Sequence, residues 1–191
     1  ENVSCQGIKG SYGNEMARTL FPEKNIHFNK TFREVCESVK NGSSDAGVLP
    51  IENLSAGSIN EVYDLIEEYK LNIVMERELP ISHCLLGCGE LSDIKKVKSH
   101  PQALMQCASF IESMGYEKIE CVNTAVAAFE TAEANDKSIG VICNKINKDY
   151  YNLNLLKENI SDLKDNKTKF IVVSDKKYIL DNPEKISIVF S

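Results

Sequence analysis

The sequence predicts an α/β fold with largely parallel sheets, since short apolar strand patterns alternate with amphipathic helix patterns along the chain. A second observation supports this class: no internal repeat or low-complexity segment interrupts the alternation. The chain has 191 residues, of which 42% are hydrophobic, so it can form a core without a metal or a disulfide. We expect one domain or two small lobes.

The predicted elements follow from apolar periodicity and turn residues. Strands are expected at residues 3–5, 46–49, 71–75, 80–86, 95–97, 119–122, 139–143 and 169–173. Helices are expected at residues 14–21, 32–40, 59–69, 102–114 and 124–133. The second helix stops at the Asn41-Gly42 turn signal, and Gly115 is suited to end the fourth. Two helix starts resemble capping boxes, Ser58 to Glu61 and Ser99 to Gln102.

Charge and composition exclude several classes of protein. The net charge is −6 and the strongest basic cluster is short, residues 95–98, which is a poor footprint for nucleic acid. The apolar runs are too short for a membrane span, and no signal peptide is visible. Seven scattered cysteines predict free, buried thiols and a cytoplasmic location. Cys84 and Cys88 lack the second ligand pair that a structural zinc site needs.

The C-terminal end of the sequence has a pattern of its own. Residues 181–183 form a turn signal, and an apolar strand pattern follows at residues 185–191. A strand without a partner would be an exposed edge. We therefore expect that a further domain begins here and has been cut away.

Small polar residues at four predicted helix starts favour a cleft that binds a small anion. They lie at residues 10–14, 53–58, 99–101 and 123–124, each after a strand. An ordinary cap explains each one singly, but the four together favour the anion interpretation. Nucleophile elbows, phosphate loops and zinc-protease motifs are absent from the sequence. The isolated His27, His83 and His100 are expected to be structural or capping residues.

Six short motifs resemble those of one family. They are residues 6–12 (QGIKGSY), 46–53 (AGVLPIEN) with 56–58 (AGS), 78–83 (ELPISH), 99–103 (SHPQA) with 106–107 (QC), 123–128 (NTAVAA) and 166–170 (NKTKF). In this order and spacing the chain resembles the prephenate dehydratase domain, which occurs alone or in bifunctional chorismate mutase–prephenate dehydratase proteins. The resemblance covers about residues 3–174.

The resemblance implies two lobes like those of a type II periplasmic binding protein, with the active site in the cleft. Residues 1–79 and 168–180 would form lobe 1, and residues 80–167 would form lobe 2. Residues 184–191 would begin a truncated ACT domain, which binds phenylalanine as an allosteric effector. The full-length protein would be a homodimer or a homotetramer.

The resemblance also implies an activity, that of a carbon–oxygen hydro-lyase. It would convert prephenate to phenylpyruvate, water and carbon dioxide in phenylalanine biosynthesis, a branch of the shikimate pathway, with no metal or organic cofactor. Thr168 would be catalytic, donating to the leaving hydroxyl. The implied substrate-binding residues are Asn53, Ser55, Gly57, Ser99, Gln106, Thr124 and Lys169.

Three positions depart from the family pattern and keep alternatives open. Lys169 replaces the usual arginine, Gly13 replaces a frequent serine, and Leu54 replaces a serine or threonine. Loss of polar contacts could reduce activity or shift the substrate. The alternatives are an arogenate dehydratase, or a catalytically weak ligand-binding or regulatory module on the same scaffold. A periplasmic solute-binding protein is disfavoured by the cysteine pattern and the missing export signal.

Overall fold

A computed structural model describes residues 2–176, which form two compact units. Unit 1 contains residues 2–7, 13–79 and 167–176, and unit 2 contains residues 8–12 and 80–166. The segment 8–12, assigned above to lobe 1, thus belongs to unit 2. The strands are β1 (Asn2–Gln6), β2 (Asn25–Asn29), β3 (Ala46–Asn53), β4 (Gly57–Ser58), β5 (Asn72–Pro80), β6 (Cys84–Gly87), β7 (Lys96–Ser99), β8 (Glu117–Glu120), β9 (Ile139–Cys143), β10 (Asn154–Lys157) and β11 (Lys167–Ser174). The α-helices are α1 (Tyr12–Leu20), α2 (Phe32–Lys40), α3 (Asn60–Tyr69), α4 (Pro101–Gln106), α5 (Ala108–Met114), α6 (Thr124–Ala134) and α7 (Asn147–Tyr151).

The sheet of unit 1 has the order β2-β1-β3-β11-β5, and β4 pairs with β3. Strand β1 runs parallel to β2 and β3, while β11 runs antiparallel to β3. Helices α2 and α3 bury their apolar faces against this sheet, and this burial supplies most of the core. The core residues include Val35, Val39, Leu49, Val62, Leu65 and Ile171.

The sheet of unit 2 has the order β10-β6-β9-β7-β8. Strand β7 runs parallel to β8 and β9, whereas β6 runs antiparallel to β9 and β10. Two apolar clusters form its core. They include Leu85, Val97, Leu104, Ile111 and Ile142 in one, and Leu86, Ala127, Ala128, Val141 and Leu153 in the other.

The α/β class is confirmed, but both sheets are mixed, so the expectation of largely parallel sheets holds only in part. The antiparallel pairs include β11 with β3, and β6 with β9 and β10. Three strands were missed, β2, β4 and β10. Strands β2 and β10 lie at sheet edges and carry polar or exposed residues, so they lack a continuous apolar run, and β4 has only two residues. The strand expected at residues 80–86 is divided, since residues 81–83 lie between β5 and β6.

Both capping-box predictions are wrong in detail. Ser58 lies in β4, and α3 begins after Ile59 without a side-chain cap. Ser99 lies in β7, where its buried hydroxyl donates to the Ile142 carbonyl at 2.6 Å. The cap of α4 is His100, whose Nδ1 accepts from the Gln102 amide. The Ser99 hydroxyl therefore forms a hydrogen bond within the sheet and does not cap the helix.

The helix expected over residues 102–114 is two helices that meet at Cys107, whose φ is −121°. The break changes which side chains are buried. Leu104, Cys107 and Ile111 are buried, whereas Met114 is 41% exposed. Gly115 ends α5 with φ +68°, a conformation that favours glycine.

All seven cysteines are free thiols, and five of them are buried. Within residues 2–176, no helix is both long enough and apolar enough to cross a membrane. The turn expected at residues 181–183 and the strand at residues 184–191 lie outside the described residues.

Candidate active site

Asn53 organises the tight loop that joins β3 to β4. Its Oδ1 accepts three hydrogen bonds, from the Ser55 amide at 3.1 Å, the Ser55 hydroxyl at 2.7 Å and the Ala56 amide at 3.1 Å. Asparagine favours such a turn because its side-chain carbonyl can bond the backbone two or three residues ahead. These three donors determine which end of the side-chain amide is the oxygen.

The other end of this amide lies against Thr168. Asn53 Nδ2 donates to Thr168 Oγ1 at 2.7 Å and to the Lys167 carbonyl at 3.3 Å. Asn53 and Thr168 are direct partners in the antiparallel β3–β11 pair, so their side chains lie on one face of the sheet. Thr168 is only 8% exposed.

This bond determines the role that the Thr168 hydroxyl can take. Because Oγ1 already accepts from Asn53, the hydroxyl hydrogen points away from Asn53 and is the part that can act on a ligand. Hydrogen bonds polarise one another, so the accepted bond strengthens Thr168 as a donor. The arrangement is suited to stabilising negative charge that develops on a ligand oxygen.

Lys169 does not join this group. Its Nζ forms an ion pair with Glu52 Oε2 at 3.2 Å, and this carboxylate raises the pKa of Lys169. Lys169 and Glu52 are the next partners along the same strand pair. Since successive side chains on a strand point to opposite faces, this ion pair lies on the face opposite to Thr168 and Asn53.

The loop between β3 and β4 requires a glycine at position 57 and leaves the side chain of Leu54 exposed. Gly57 pairs with Asn53 and has φ +84°, which only glycine adopts without strain, so its role in the loop is conformational. Leu54, which replaces a polar residue of the family pattern, is 64% exposed in this loop.

A second group lies in unit 2, around the buried His83, which is 3% exposed. Its Nδ1 lies 2.9 Å from the Tyr12 hydroxyl, and its Nε2 lies 2.9 Å from Gln106 Oε1. Burial lowers the pKa of His83 below its ordinary value of 6.5, although the bond to Gln106 opposes this shift. The imidazole is therefore neutral at pH 7.

The other two predicted site residues of unit 2, Ser99 and Thr124, lie at the end of β7 and at the start of α6. Ser99 is fully buried, and its hydroxyl hydrogen is already donated to Ile142. Thr124 is the first residue of α6 and follows the helix cap Asn123, whose Oδ1 accepts from the Val126 amide. Within the described part of the chain, no three or more His, Cys, Asp or Glu side chains are grouped as metal ligands.

The structure thus brings Asn53, Ser55 and Thr168 together in unit 1. In unit 2, Gln106 contacts His83, and His83 in turn contacts Tyr12; the sequence did not single out either of these two residues for a site. No local sequence signal indicates that trio, because Tyr12 and His83 are 71 residues apart and His83 and Gln106 are 23 apart. Only the fold places these side chains in contact.

The comparison with protein families decides the membership of the chain. The family described as Prephenate dehydratase matches residues 3–178. The chain belongs to the prephenate dehydratase family. The resemblance inferred from the six motifs is therefore confirmed.

Curated relatives of the chain carry names from the same family. The chain is 38% identical over 193 residues to "Arogenate dehydratase/prephenate dehydratase 1, chloroplastic" of Arabidopsis thaliana, covering 99% of this chain and 49% of the relative. It is 37% identical to a "Bifunctional chorismate mutase/prephenate dehydratase" of Enterobacter agglomerans, covering 91% of this chain and 47% of the relative. The chain spans about half the length of these relatives.

A prephenate dehydratase of Arthrobacter aurescens, solved in complex with L-Phe, superimposes with a TM-score of 0.87. It is 25% identical, and the match covers 96% of this chain and 63% of that one. The α/β architecture is therefore that of a prephenate dehydratase.

Proposed function

We propose that the chain is the prephenate dehydratase part of an enzyme of phenylalanine biosynthesis, and that Thr168 is its catalytic donor. The observation that carries the proposal is the bond from Asn53 Nδ2 to Thr168 Oγ1, which makes the threonine hydroxyl a directed donor. Family membership supplies the reaction to which this donor is suited.

The reaction needs little chemistry from the protein. In prephenate, the electrons of the bond to the ring carboxylate move into the ring, carbon dioxide leaves, and the bond to the ring hydroxyl breaks. The hydroxyl departs with one proton as water, and the product ring is aromatic. The step is favourable once charge on the departing oxygen is stabilised, so a well-placed donor is the main requirement.

Thr168 meets this requirement as a hydrogen-bond donor rather than as a strong acid. A hydroxyl does not ionise near neutral pH, so its contribution is electrostatic and depends on orientation. Asn53 supplies the orientation, and the three donors on Asn53 Oδ1 hold Asn53 in turn. Removal of one such preorganised donor typically lowers kcat about 100- to 1,000-fold.

The carbonyl and carboxylate oxygens of the substrate would be bound by further polar groups. We assign this role to Gln106, Ser55 and Thr124, in keeping with the family pattern. Lys169 was also predicted to bind substrate, but its ion pair with Glu52 favours an electrostatic role on the opposite face of the sheet. Ser99 supports the site through β7, since its hydroxyl is already donated.

Arogenate is the second candidate substrate. It carries an ammonium group where prephenate has a keto group, and the Arabidopsis thaliana relative is named for both activities. The proposed donor acts on the ring hydroxyl, which the two substrates share. Preference between them therefore depends on groups that contact the side chain of the substrate.

The wider assignments remain part of the proposal. They are a cytoplasmic location, a homodimeric or homotetrameric full-length enzyme, and phenylalanine as the effector of an ACT domain that begins at residue 184. The free cysteines support the first of these. The L-Phe complex of the Arthrobacter aurescens enzyme supports the last.

The test is the turnover of prephenate and arogenate by the purified chain near neutral pH. Phenylpyruvate and phenylalanine are the respective products, and a blank without enzyme corrects for the spontaneous aromatisation of prephenate in acid. Turnover of prephenate that exceeds turnover of arogenate supports the proposal. Preferential turnover of arogenate would replace it with the second candidate. A folded chain that binds prephenate without turnover would indicate a ligand-binding module instead.

A further inference from the structure

The structure assigns a role to His83 that rests on the function proposed above. We propose that His83 is a positioning residue, whose Nε2–H holds the Gln106 carboxamide so that its nitrogen is presented as the donor to a substrate oxygen. Two contacts carry the proposal, the 2.9 Å distance from His83 Nε2 to Gln106 Oε1 and the 2.9 Å distance from His83 Nδ1 to the Tyr12 hydroxyl.

The hydrogen-bond roles in this trio depend on one another. The carboxamide oxygen of Gln106 can only accept, so the hydrogen must lie on His83 Nε2. A neutral imidazole then has its lone pair on Nδ1, which accepts the hydroxyl hydrogen of Tyr12. The Tyr12 hydroxyl, which also lies 3.4 Å from the Ser82 carbonyl, thus supports this tautomer of His83, and the His83 Nε2–H sets the orientation of the Gln106 amide.

The opposite arrangement is chemically possible but reverses every role. A rotated Gln106 amide would donate from its nitrogen to His83 Nε2, and the hydrogen would lie on Nδ1. The Gln106 oxygen would then replace its nitrogen as the end opposite to His83, and it would repel a carboxylate or carbonyl oxygen. The tautomer of His83 therefore decides whether Gln106 attracts or repels the substrate.

The backbone holds this trio in place. The segment 160–162 bonds to both partners: the Ile160 amide donates to the His83 carbonyl at 3.0 Å, and the Asp162 amide donates to the Gln106 carbonyl at 2.8 Å. The His83 amide donates to the Ser161 hydroxyl at 3.2 Å. Since His83 is buried, water has little access to its ring. The distance between His83 and Gln106 is thus set by the fold, as positioning requires.

The first experiment reads the tautomer directly and does not depend on any substrate. Long-range ¹H–¹⁵N NMR correlation on the ¹⁵N-labelled chain at pH 7.5 distinguishes a protonated Nε2 from a protonated Nδ1. We expect the Nε2–H form for His83, with assignment from the His83→Gln variant. A protonated Nδ1 would overturn the proposal whether or not the chain proves to be a dehydratase.

The second experiment uses a matched pair of variants and steady-state kinetics with prephenate. In His83→Gln the side-chain amide can still donate near the position of Nε2, whereas in His83→Asn the shorter side chain loses that donor. We expect His83→Asn to raise KM about 10- to 100-fold, as Gln106→Ala does, because each removes one bond to a charged ligand. His83→Gln should stay within about threefold of the parent chain.

The double variant separates positioning from mere structural support. If His83 acts through Gln106, adding His83→Asn to Gln106→Ala should raise KM no further. Additive effects, or a loss of kcat with an unchanged KM, would overturn the proposal. If circular dichroism shows that His83→Asn does not fold, Tyr12→Phe takes its place. This variant removes only the hydroxyl that contacts Nδ1, so the NMR spectrum should show that His83 is no longer held in one tautomer. A parent chain that does not turn over prephenate would contradict the proposed function, while the tautomer measurement would still decide the role of His83.

Discussion

The side-chain amide of Asn53 donates to the hydroxyl oxygen of Thr168 at 2.7 Å, across the antiparallel pair of β3 and β11. The three donors on Asn53 Oδ1 exclude the reverse orientation of this amide. The direction of the Thr168 hydroxyl is therefore a consequence of a loop that closes two residues after the strand ends. Several measurable properties of the protein depend on this relationship and on the ionisable groups around it.

Asn53→Asp should abolish most of the activity although it changes one atom of the side chain. The carboxylate oxygen would accept the Thr168 hydroxyl hydrogen, so Thr168 could no longer donate to the leaving group. We expect kcat to fall about 100-fold or more, measured from phenylpyruvate formation. Ala56→Asp is the matched control, because it adds the same charge to the exposed loop and leaves the Asn53–Thr168 bond intact. An equal loss of kcat in both variants would attribute the effect to charge alone.

Thr168→Val and Thr168→Ser separate the hydroxyl from the shape of the side chain. Valine keeps the volume and removes the donor, so kcat should fall about 100- to 1,000-fold. Serine keeps the donor and loses one methyl group, so kcat should stay within about tenfold while stability falls by about 1 kcal/mol. Steady-state kinetics and urea unfolding check the two effects. Activity retained by the valine variant would show that another group assists the departing hydroxyl.

Lys169→Met and Glu52→Gln should have small and similar effects. The two side chains pair with each other at 3.2 Å and are partly exposed, and such pairs contribute little to stability. We expect KM for prephenate to change less than about threefold in either variant, because the pair lies on the face opposite to Thr168. A rise of KM in Lys169→Met that is absent in Glu52→Gln would instead show that Lys169 binds the substrate.

Stability should decrease as the pH falls below 6.5, in part through His83. Burial lowers the pKa of His83 in the folded chain, so between its ordinary value of 6.5 and the lower folded value the unfolded state binds more protons. The stability that the neutral His83 ring contributes is thus complete above pH 6.5 and is lost as the pH falls towards the pKa of the folded chain. Tyr12 and Gln106, which contact the ring, carry no charge in this range. Urea unfolding at pH 7.5 and 5.5 should show a smaller loss in His83→Gln than in the parent chain, and equal losses would contradict this account.

Thiol reactivity should divide the seven cysteines into two classes. Burial raises the pKa of Cys5 and Cys107 to about 12 and that of Cys36 to about 11, and it also raises the pKa of Cys143. Together with the buried Cys84, these thiols should react with a disulfide reagent only after unfolding. Cys88 and Cys121 are partly exposed and should react in the native chain, Cys88 the more slowly because partial burial also raises its pKa. Rapid reaction of more than two thiols in native buffer would show that a buried segment opens.

The helices and the central strands follow from local patterns. Residues 32–40 form α2 with the predicted bounds, since an apolar stripe, a Thr31 cap and the Asn41-Gly42 turn all agree. Edge strands such as β2 were missed because a strand that is exposed on one side carries no continuous apolar signal. The mixed direction of the sheets also escaped prediction, because strand direction depends on how the chain returns to the sheet.

The residues of the candidate site also fall into two groups, those that the sequence indicated and those whose contacts depend on tertiary structure. The amino-acid sequence was enough to indicate the family and to single out Thr168 and Asn53, because short motifs keep these residue types in order along the chain. The face on which Lys169 lies, the partner that occupies the Ser99 hydroxyl, and the contact of Tyr12 with His83 were decided by tertiary structure. The physical reason is that a hydrogen bond needs two groups within about 3 Å. Strand pairing and burial, which act between residues far apart in the chain, determine which groups meet.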